Sequence, residues 1–245
     1  MVNNMTDKIE KLQQIIDNSR NVVFFGGAGV STESGIKDFR SKDGLYSQKY
    51  KYAPEVILSH DFFMDYTEEF YEFYRDKMLA LDAQPNAAHK WLAKLEEKGR
   101  LSAVITQNID GLHQLAGSRR VYELHGTVHS NRCMRCGKFY SAEDILNSTG
   151  VAKCDCGGTI KPKVVLYDED LNMDIYNRSI NAIENADTMI VAGTSLTVYP
   201  AAGLVRYFQG DNLILINRDS TPLDNTADLV IHGSVGEILS NIDIK

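Results

Sequence analysis

The sequence contains no run of the roughly 18 uninterrupted apolar residues that a membrane-spanning helix needs. Its opening stretch, MVNNMTDKIEKLQQIIDNSR, has no apolar export signal, because charged side chains interrupt it. Cysteine is scarce, with four in 245 residues. Without export machinery, four thiols indicate a reducing compartment and metal or redox chemistry rather than disulfides, so the cytoplasm is the expected location. Positive charge is also short: 26 Lys and Arg against 33 Asp and Glu leave a net −7. That balance lacks the basic footprint of a nucleic-acid binder. It suits a cationic partner such as a lysine-bearing peptide, and equally serves solubility alone. A hydrophobic share of 43 % with 24 % charged residues excludes a disordered chain. A chain of this length is expected to form one large α/β domain or two small ones. It should bury roughly 70–75 % of its unfolded surface without a disulfide staple.

What is present is an alternation of short apolar runs with helical stretches. Residues 22–25, 102–106, 121–124, 188–193, 213–217 and 229–233 read as six strands, and strands alternating with helices predict a doubly wound, Rossmann-like parallel sheet. An amphipathic helix is expected to open near Thr6 and Asp7, with Ile9, Leu12, Ile15 and Ile16 on one face. Gly99 reads as the stop of the helix over HKWLAKLEEKG. Two stretches break the rhythm: the aromatic, helical run 46–81 and the Gly- and Lys-rich run 133–165 that holds all four cysteines. The expected division is a sheet domain of residues 1–40, 82–126 and 166–245. The helical insertion 41–81 and a zinc module 127–165 then form a smaller domain, with the ligand cleft between the two at the sheet's carboxyl edge.

Four motifs carry chemistry. Gly26-Gly27-Ala28-Gly29-Val30-Ser31 follows the first strand, so backbone and a following helix N-terminus could approach a pyrophosphate; a plain strand-to-helix turn is the alternative. A dehydrogenase fingerprint fails, because Thr32 stands at the third glycine and residues 47–51 offer no acidic ribose anchor. Cys133-x-x-Cys136 and Cys154-x-Cys156 form two close pairs 17 residues apart, the donor set of a tetrahedral Zn²⁺ site. Four sulfurs leave no open coordination position, so such a zinc is structural; a redox pair or buried thiols are the alternatives. Thr106-Gln107-Asn108-Ile109-Asp110-Gly111-Leu112-His113 lies past a strand end, where amides and a carboxylate could orient a ligand or merely cap a helix. His125-Gly126 lies past another strand, and the glycine is expected to leave room for a ligand beside an acid–base histidine.

Taken in order, GAGVSTESGIKDFR, TQNIDGLH, HG, the four cysteines, GTSLTVYPAA and the Asn217 segment resemble the sirtuin family of NAD-dependent protein deacylases, in its compact bacterial form, from about residue 10 to residue 242. The resemblance implies NAD consumed as a co-substrate and acyl-lysine proteins or peptides as partners. It implies nicotinamide as a product inhibitor, and one structural zinc. It places Gly27, Ala28, Asp38, Phe39 and Arg40 around the cofactor, with Phe39 shielding the reacting ribose. Gln107, Asn108, Ile109 and Asp110 would form the nicotinamide wall, and Gly193, Thr194 and Ser195 a phosphate loop. Asn217, Arg218 and Val235 would meet the adenosine end. His125 matches the general base, with Asn108 and Asp110 as its catalytic companions. The acyl oxygen attacks the anomeric carbon, nicotinamide leaves, and a ribose hydroxyl deprotonated by His125 takes up the acyl group. Val164, Val165 and Leu166, following Lys163, match the strand that pairs with substrate backbone.

Three positions depart from the family pattern: Lys37 for proline, Tyr167-Asp168-Glu169 for Phe-Gly-Glu, and the tight Cys154-x-Cys156 pair. If the glycine position of that second motif needs a positive φ, Asp168 tolerates it at some cost. Tyr74 and Lys77 are the nearest match to an acidic-acyl pocket; lysine lacks the planar fork that grips a carboxylate, so acetyl is the expected acyl group. The alternatives are a mono-ADP-ribosyltransferase on the same NAD site, a longer-chain or acidic-acyl deacylase, and a non-catalytic binding module. A minimal monomeric core is expected.

Overall fold

The computed structural model describes residues 4–39, 44–45 and 50–245. Helix α1 (Met5–Asn18) leads into strand β1 (Val22–Gly26), followed by short helices α2 (Pro54–Ile57), α3 (His60–Asp65) and α4 (Thr67–Phe73). Then come α5 (Ala87–Glu97), β2 (Leu101–Thr106), α6 (Leu112–Leu115), β3 (Val121–Glu123), β4 (Gly126–Cys133), β5 (Phe139–Tyr140), α7 (Ala142–Leu146) and β6 (Ile160–Val164). The chain closes with α8 (Met173–Glu184), β7 (Thr188–Ala192), β8 (Asn212–Asn217), β9 (Leu229–His232) and α9 (Val235–Ser240).

The six expected strands form one parallel sheet in the order β3-β2-β1-β7-β8-β9. Every residue of β1 and β7 is buried, which is why these strands read as unbroken apolar runs: helices cover both faces. Side-chain alternation splits β1 between two cores. Phe24 packs with Leu12 and Ile16 of α1 and with Trp91 and Leu95 of α5, whereas Phe25 packs with Ile183 of α8, Leu204 and Val205. Helix α1 begins one residue ahead of Thr6, because Asn4 is extended and its side chain accepts from the Thr6 N–H. The sheet order reverses between β1 and β7, where an open α/β sheet leaves its ligand crevice.

Strands β5-β4-β6 make a separate antiparallel sheet. Its apolar side shares a core with the aromatic helices: Phe62, Phe63, Phe70, Tyr71 and Tyr74 are packed with Val128, Ile145, Ile160 and Val164. Phe63 meets Phe70 edge-on at 4.9 Å, Phe70 stacks on Tyr74 at 5.4 Å, and the Tyr71 hydroxyl donates to the Ile160 carbonyl of β6. Burying a large apolar side chain stabilises by about 1.5–3 kcal/mol, so this aromatic cluster fastens the two segments together. After α4 the backbone widens into one π turn, Tyr74–Met78.

Candidate active site

At the β1/β7 switch point two glycine loops interlock. The Gly29 N–H donates to the Gly193 carbonyl at 2.8 Å, and Gly193 sits at φ +58°. A Cβ on Gly193 would lie 2.4 Å from the Val30 nitrogen, so only glycine allows this backbone-on-backbone contact. The expected helix after the first loop is not there. Ala28–Val30 and Thr32–Ser34 form two single 3₁₀ turns instead. The reason lies in side chains that reach away from the loop: Ser31 donates to Asp110, and Glu33 accepts the Gly236 N–H at 2.7 Å and the Glu237 N–H at 3.2 Å. Asn86, from the start of α5, holds the loop by donating to the Val30 carbonyl and Ser34 hydroxyl.

The segment after β2 supplies a polar wall. Asn108, buried, donates to the Ser31 hydroxyl at 3.0 Å, and that hydroxyl donates to Asp110 Oδ2 at 2.7 Å. Asp110 Oδ1 accepts the Leu112 N–H at 2.9 Å, so the carboxylate caps α6 as well as facing the cleft. Gln107 donates to the Thr194 hydroxyl at 3.0 Å, joining this wall to the Gly193 loop.

His125 lines the same cleft. Its Nδ1 is 3.0 Å from the Gln107 carbonyl, which can only accept, so Nδ1 carries the proton and neutral Nε2 keeps its lone pair. Burial lowers its pKa below the ordinary histidine value, only partly offset by that hydrogen bond. The room beside it is not left for a ligand: a Cβ on Gly126, at φ +73°, would lie 2.0 Å from the Lys163 carbonyl. That glycine instead lets β6 close onto β4, where Val164 pairs with Gly126 and the Val165 N–H donates to the His125 carbonyl.

The cleft, about 370 Å³, brings together nearly all the expected residues: Gly27, Ala28, Asp38, Phe39, Tyr74, Lys77, Gln107, Asn108, Ile109, Asp110, His125, Val164, Val165, Leu166, Gly193, Thr194, Ser195, Asn217, Arg218 and Val235. Arg40 lies outside the described residues. Tyr74 is fully buried and its hydroxyl has no hydrogen-bond partner among the described residues, while Lys77 pairs with Asp76 at 2.8 Å. At the far end Arg218 donates to the Ser234 hydroxyl at 3.3 Å, and Asn217 donates to the Asp219 carbonyl.

The cysteine sulfurs lie within 4.8 Å of one another, with Cys133–Cys156 at 3.5 Å and Cys136–Cys154 at 3.6 Å. A tetrahedron of Zn–S bonds near 2.3 Å has edges of about 3.8 Å, so the four donors fit a closed Zn²⁺ site. The Arg135 and Cys136 N–H groups donate to Cys133 Sγ, as a knuckle around a thiolate requires. All four thiols are free.

A Sir2 family model matches residues 27–200. The chain belongs to the Sir2 family. It is 59 % identical over 242 residues to an NAD-dependent protein deacetylase of Clostridium acetobutylicum, covering 97 % of this chain and 99 % of that protein. It is 47 % identical over 241 residues to a Staphylococcus aureus protein of the same name, with 97 % and 99 % covered. A solved Sir2 with a p53 peptide and NAD⁺ superposes at TM-score 0.83 with 44 % identity, covering 95 % of both chains. A Sir2 bound to an acetylated peptide gives 0.84 and 42 %, again over 95 % of both.

Within this Sir2 chain, three side chains that organise the cleft escaped the sequence reading. Ser31 sits inside a quoted motif, but its partners lie 77 and 79 residues away. Glu33 signals nothing locally. Glu169 stands in the sequence only as part of an altered tripeptide, yet its carboxylate meets His60 Nδ1 at 2.9 Å, Lys161 Nζ at 3.0 Å and the Leu166 N–H at 3.0 Å. Burial would raise its pKa, but those three hydrogen bonds hold it below the usual glutamate value. The Sir2 motif's altered glycine position does need a positive φ: Asp168 stands at +69°.

Proposed function

We propose that this chain is an NAD-dependent protein-lysine deacetylase that releases nicotinamide and O-acetyl-ADP-ribose, with His125 as general base. The observation that carries the reading is the imidazole itself, whose Nδ1–H is spent on the Gln107 carbonyl, leaving a bare Nε2 in the cleft. The names of the relatives and the peptide-bound neighbours support the same reading.

NAD, when bound, supplies an anomeric carbon with nicotinamide as leaving group. Gly27, Ala28 and the Gly193-Thr194-Ser195 loop let the phosphates approach backbone, and Asn217, Arg218 and Val235 receive the adenosine end. Asn108 and Asp110, held by Ser31, orient the nicotinamide side. Phe39 and Asp38 close the ribose region, and Arg40 completes it. The acyl-lysine peptide lies against Val164, Val165 and Leu166, its acyl group toward Tyr74 and Lys77, and His125 takes the proton of a ribose hydroxyl. Zinc on Cys133, Cys136, Cys154 and Cys156 holds the small module together and takes no part in the reaction. Residues 1–40, 82–126 and 166–245 act as the cofactor domain, and 41–81 with 127–165 as the smaller one. Released nicotinamide competes for its own site as a product inhibitor. The enzyme works in the cytoplasm as a monomer, with acyl-lysine proteins rather than nucleic acid or membrane as partner.

The test is nicotinamide release from NAD with and without an acetyl-lysine peptide, beside His125→Ala. Peptide-dependent release with loss of acetyl, abolished in the variant, is expected. The acid limb of kcat/KM should fall below pH 6.5, because burial keeps His125 neutral there. Release without deacetylation would transfer the reading to ADP-ribosyl transfer, and no release at all would refute an enzymatic role.

A further inference from the structure

The turn after the peptide-pairing segment is fastened on every side but one. The Glu169 N–H donates to the Leu166 carbonyl, the Tyr167 N–H to the Leu58 carbonyl, and the His60 N–H to the Tyr167 carbonyl. Glu169 spends its charge inside the protein, on Lys161 and His60. At the turn's third position Asp168 is held at φ +69°, a conformation that glycine adopts freely and aspartate does not. Its carboxylate is exposed, lines the cleft beside Val164, Val165 and Leu166, and has no protein partner among the described residues. An unfavourable backbone conformation is thus kept at the lip of the substrate groove, where it presents one uncompensated negative charge.

We propose that Asp168 is a specificity-determining residue that selects acyl-lysine segments carrying a second cation, lysine or arginine, a few residues to one side of the acyl-lysine. This inference rests on the peptide-deacylase reading above. The charges around Asp168 agree with a one-sided preference. Asp168 follows the pairing segment and lines the cleft, whereas Lys163, exposed ahead of that segment, does not, so a peptide lying along Val164–Leu166 meets an anion at one end only. Asp170, also exposed, adds to the negative end without itself lining the cleft.

The experiment uses a matched set of acetyl-lysine peptides with Lys, Ala or Glu placed singly at each flanking position, and reads kcat/KM for the full-length enzyme. An exposed ion pair carries a preference of up to about fivefold. The Lys-to-Glu ratio should therefore reach that size on one side of the acetyl-lysine and shrink in high salt. Asp168→Asn and Asp168→Gly both tolerate the positive φ, and both should bring the ratio at that position close to one. Asp170→Asn should lower it less. A wild-type enzyme with no flanking-charge preference, a preference that survives in both Asp168 variants, or an equal loss on all peptides would overturn the proposal. Turnover without charge preference refutes this inference alone. If no acetyl peptide is turned over, both this inference and the deacetylase reading fall.

Discussion

Two neighbouring tyrosines in the aromatic cluster should respond oppositely to losing a hydroxyl. Tyr71 and Tyr74 are both fully buried, and burial raises both phenol pKa values well above normal, so each stays protonated. The Tyr71 hydroxyl donates to the Ile160 carbonyl; the Tyr74 hydroxyl has no partner among the described residues. A buried hydroxyl without a hydrogen bond costs about 1–3 kcal/mol, and a satisfied one contributes about 1 kcal/mol. Phenylalanine preserves the ring contacts, including the 5.4 Å stack of Tyr74 on Phe70. Tyr74→Phe should therefore stabilise the protein by about 1 kcal/mol, and Tyr71→Phe should destabilise it by about the same. For a chain of this size each kcal/mol moves Tm by roughly 2–4 °C, in opposite directions for the two variants. Thermal unfolding followed by circular dichroism, with denaturant midpoints as a second readout, resolves such shifts. A fall in Tm for Tyr74→Phe would mean that its hydroxyl has a partner after all, and the reasoning from the orphaned group would fail.

Acid sensitivity should come early. Burial lowers the pKa of His89 to about 4 and that of His113 well below normal, and their rings lie 4.6 Å apart. Both are neutral in the fold and gain protons on unfolding, so their contribution is complete above about pH 6.5 and is lost as pH falls toward 4. A Tm independent of pH across that window would contradict this. Zinc should be present at one equivalent per chain by elemental analysis. Its removal by a chelator should unfold the β4–β6 sheet, and unchanged melting of the metal-free protein would refute a structural site. Glu169→Gln should raise KM for the peptide more than it lowers kcat, because it frees the Leu166 turn from Lys161 and His60. Since the Glu169 pKa is held below normal, its contribution is present above about pH 4.5 and is lost below that value; a kcat effect without a KM effect would argue against a positioning role.

The sheet was legible because strands buried on both faces are written as short apolar runs, and all six appear where the pattern puts them. Their order was not, since nothing in β1 or β7 records that they become neighbours. The metal cage was legible for the opposite reason: two close pairs of cysteines already determine most of its geometry. The glycine loop misled where local pattern met distant chemistry. A strand running into glycines predicts a helix, but Ser31 and Glu33 have partners across the fold, and two tight turns satisfy them better. His125 lies in the cleft, but its neighbouring glycine serves strand packing rather than leaving room for a ligand.

The interlocked glycine loops also bear on how the protein is made. Gly29 leaves the ribosome more than 160 residues before Gly193, its hydrogen-bonding partner, and Glu33 waits 203 residues for the Gly236 N–H that it caps. At 5–20 residues per second the first loop spends on the order of ten seconds or more without its counterpart. A truncated or still-growing chain therefore has half a nucleotide pocket, with the Gly29 N–H still lacking the Gly193 carbonyl that receives it. NAD can select only completed molecules, and in the cell its binding would mark the end of synthesis as well as the start of catalysis.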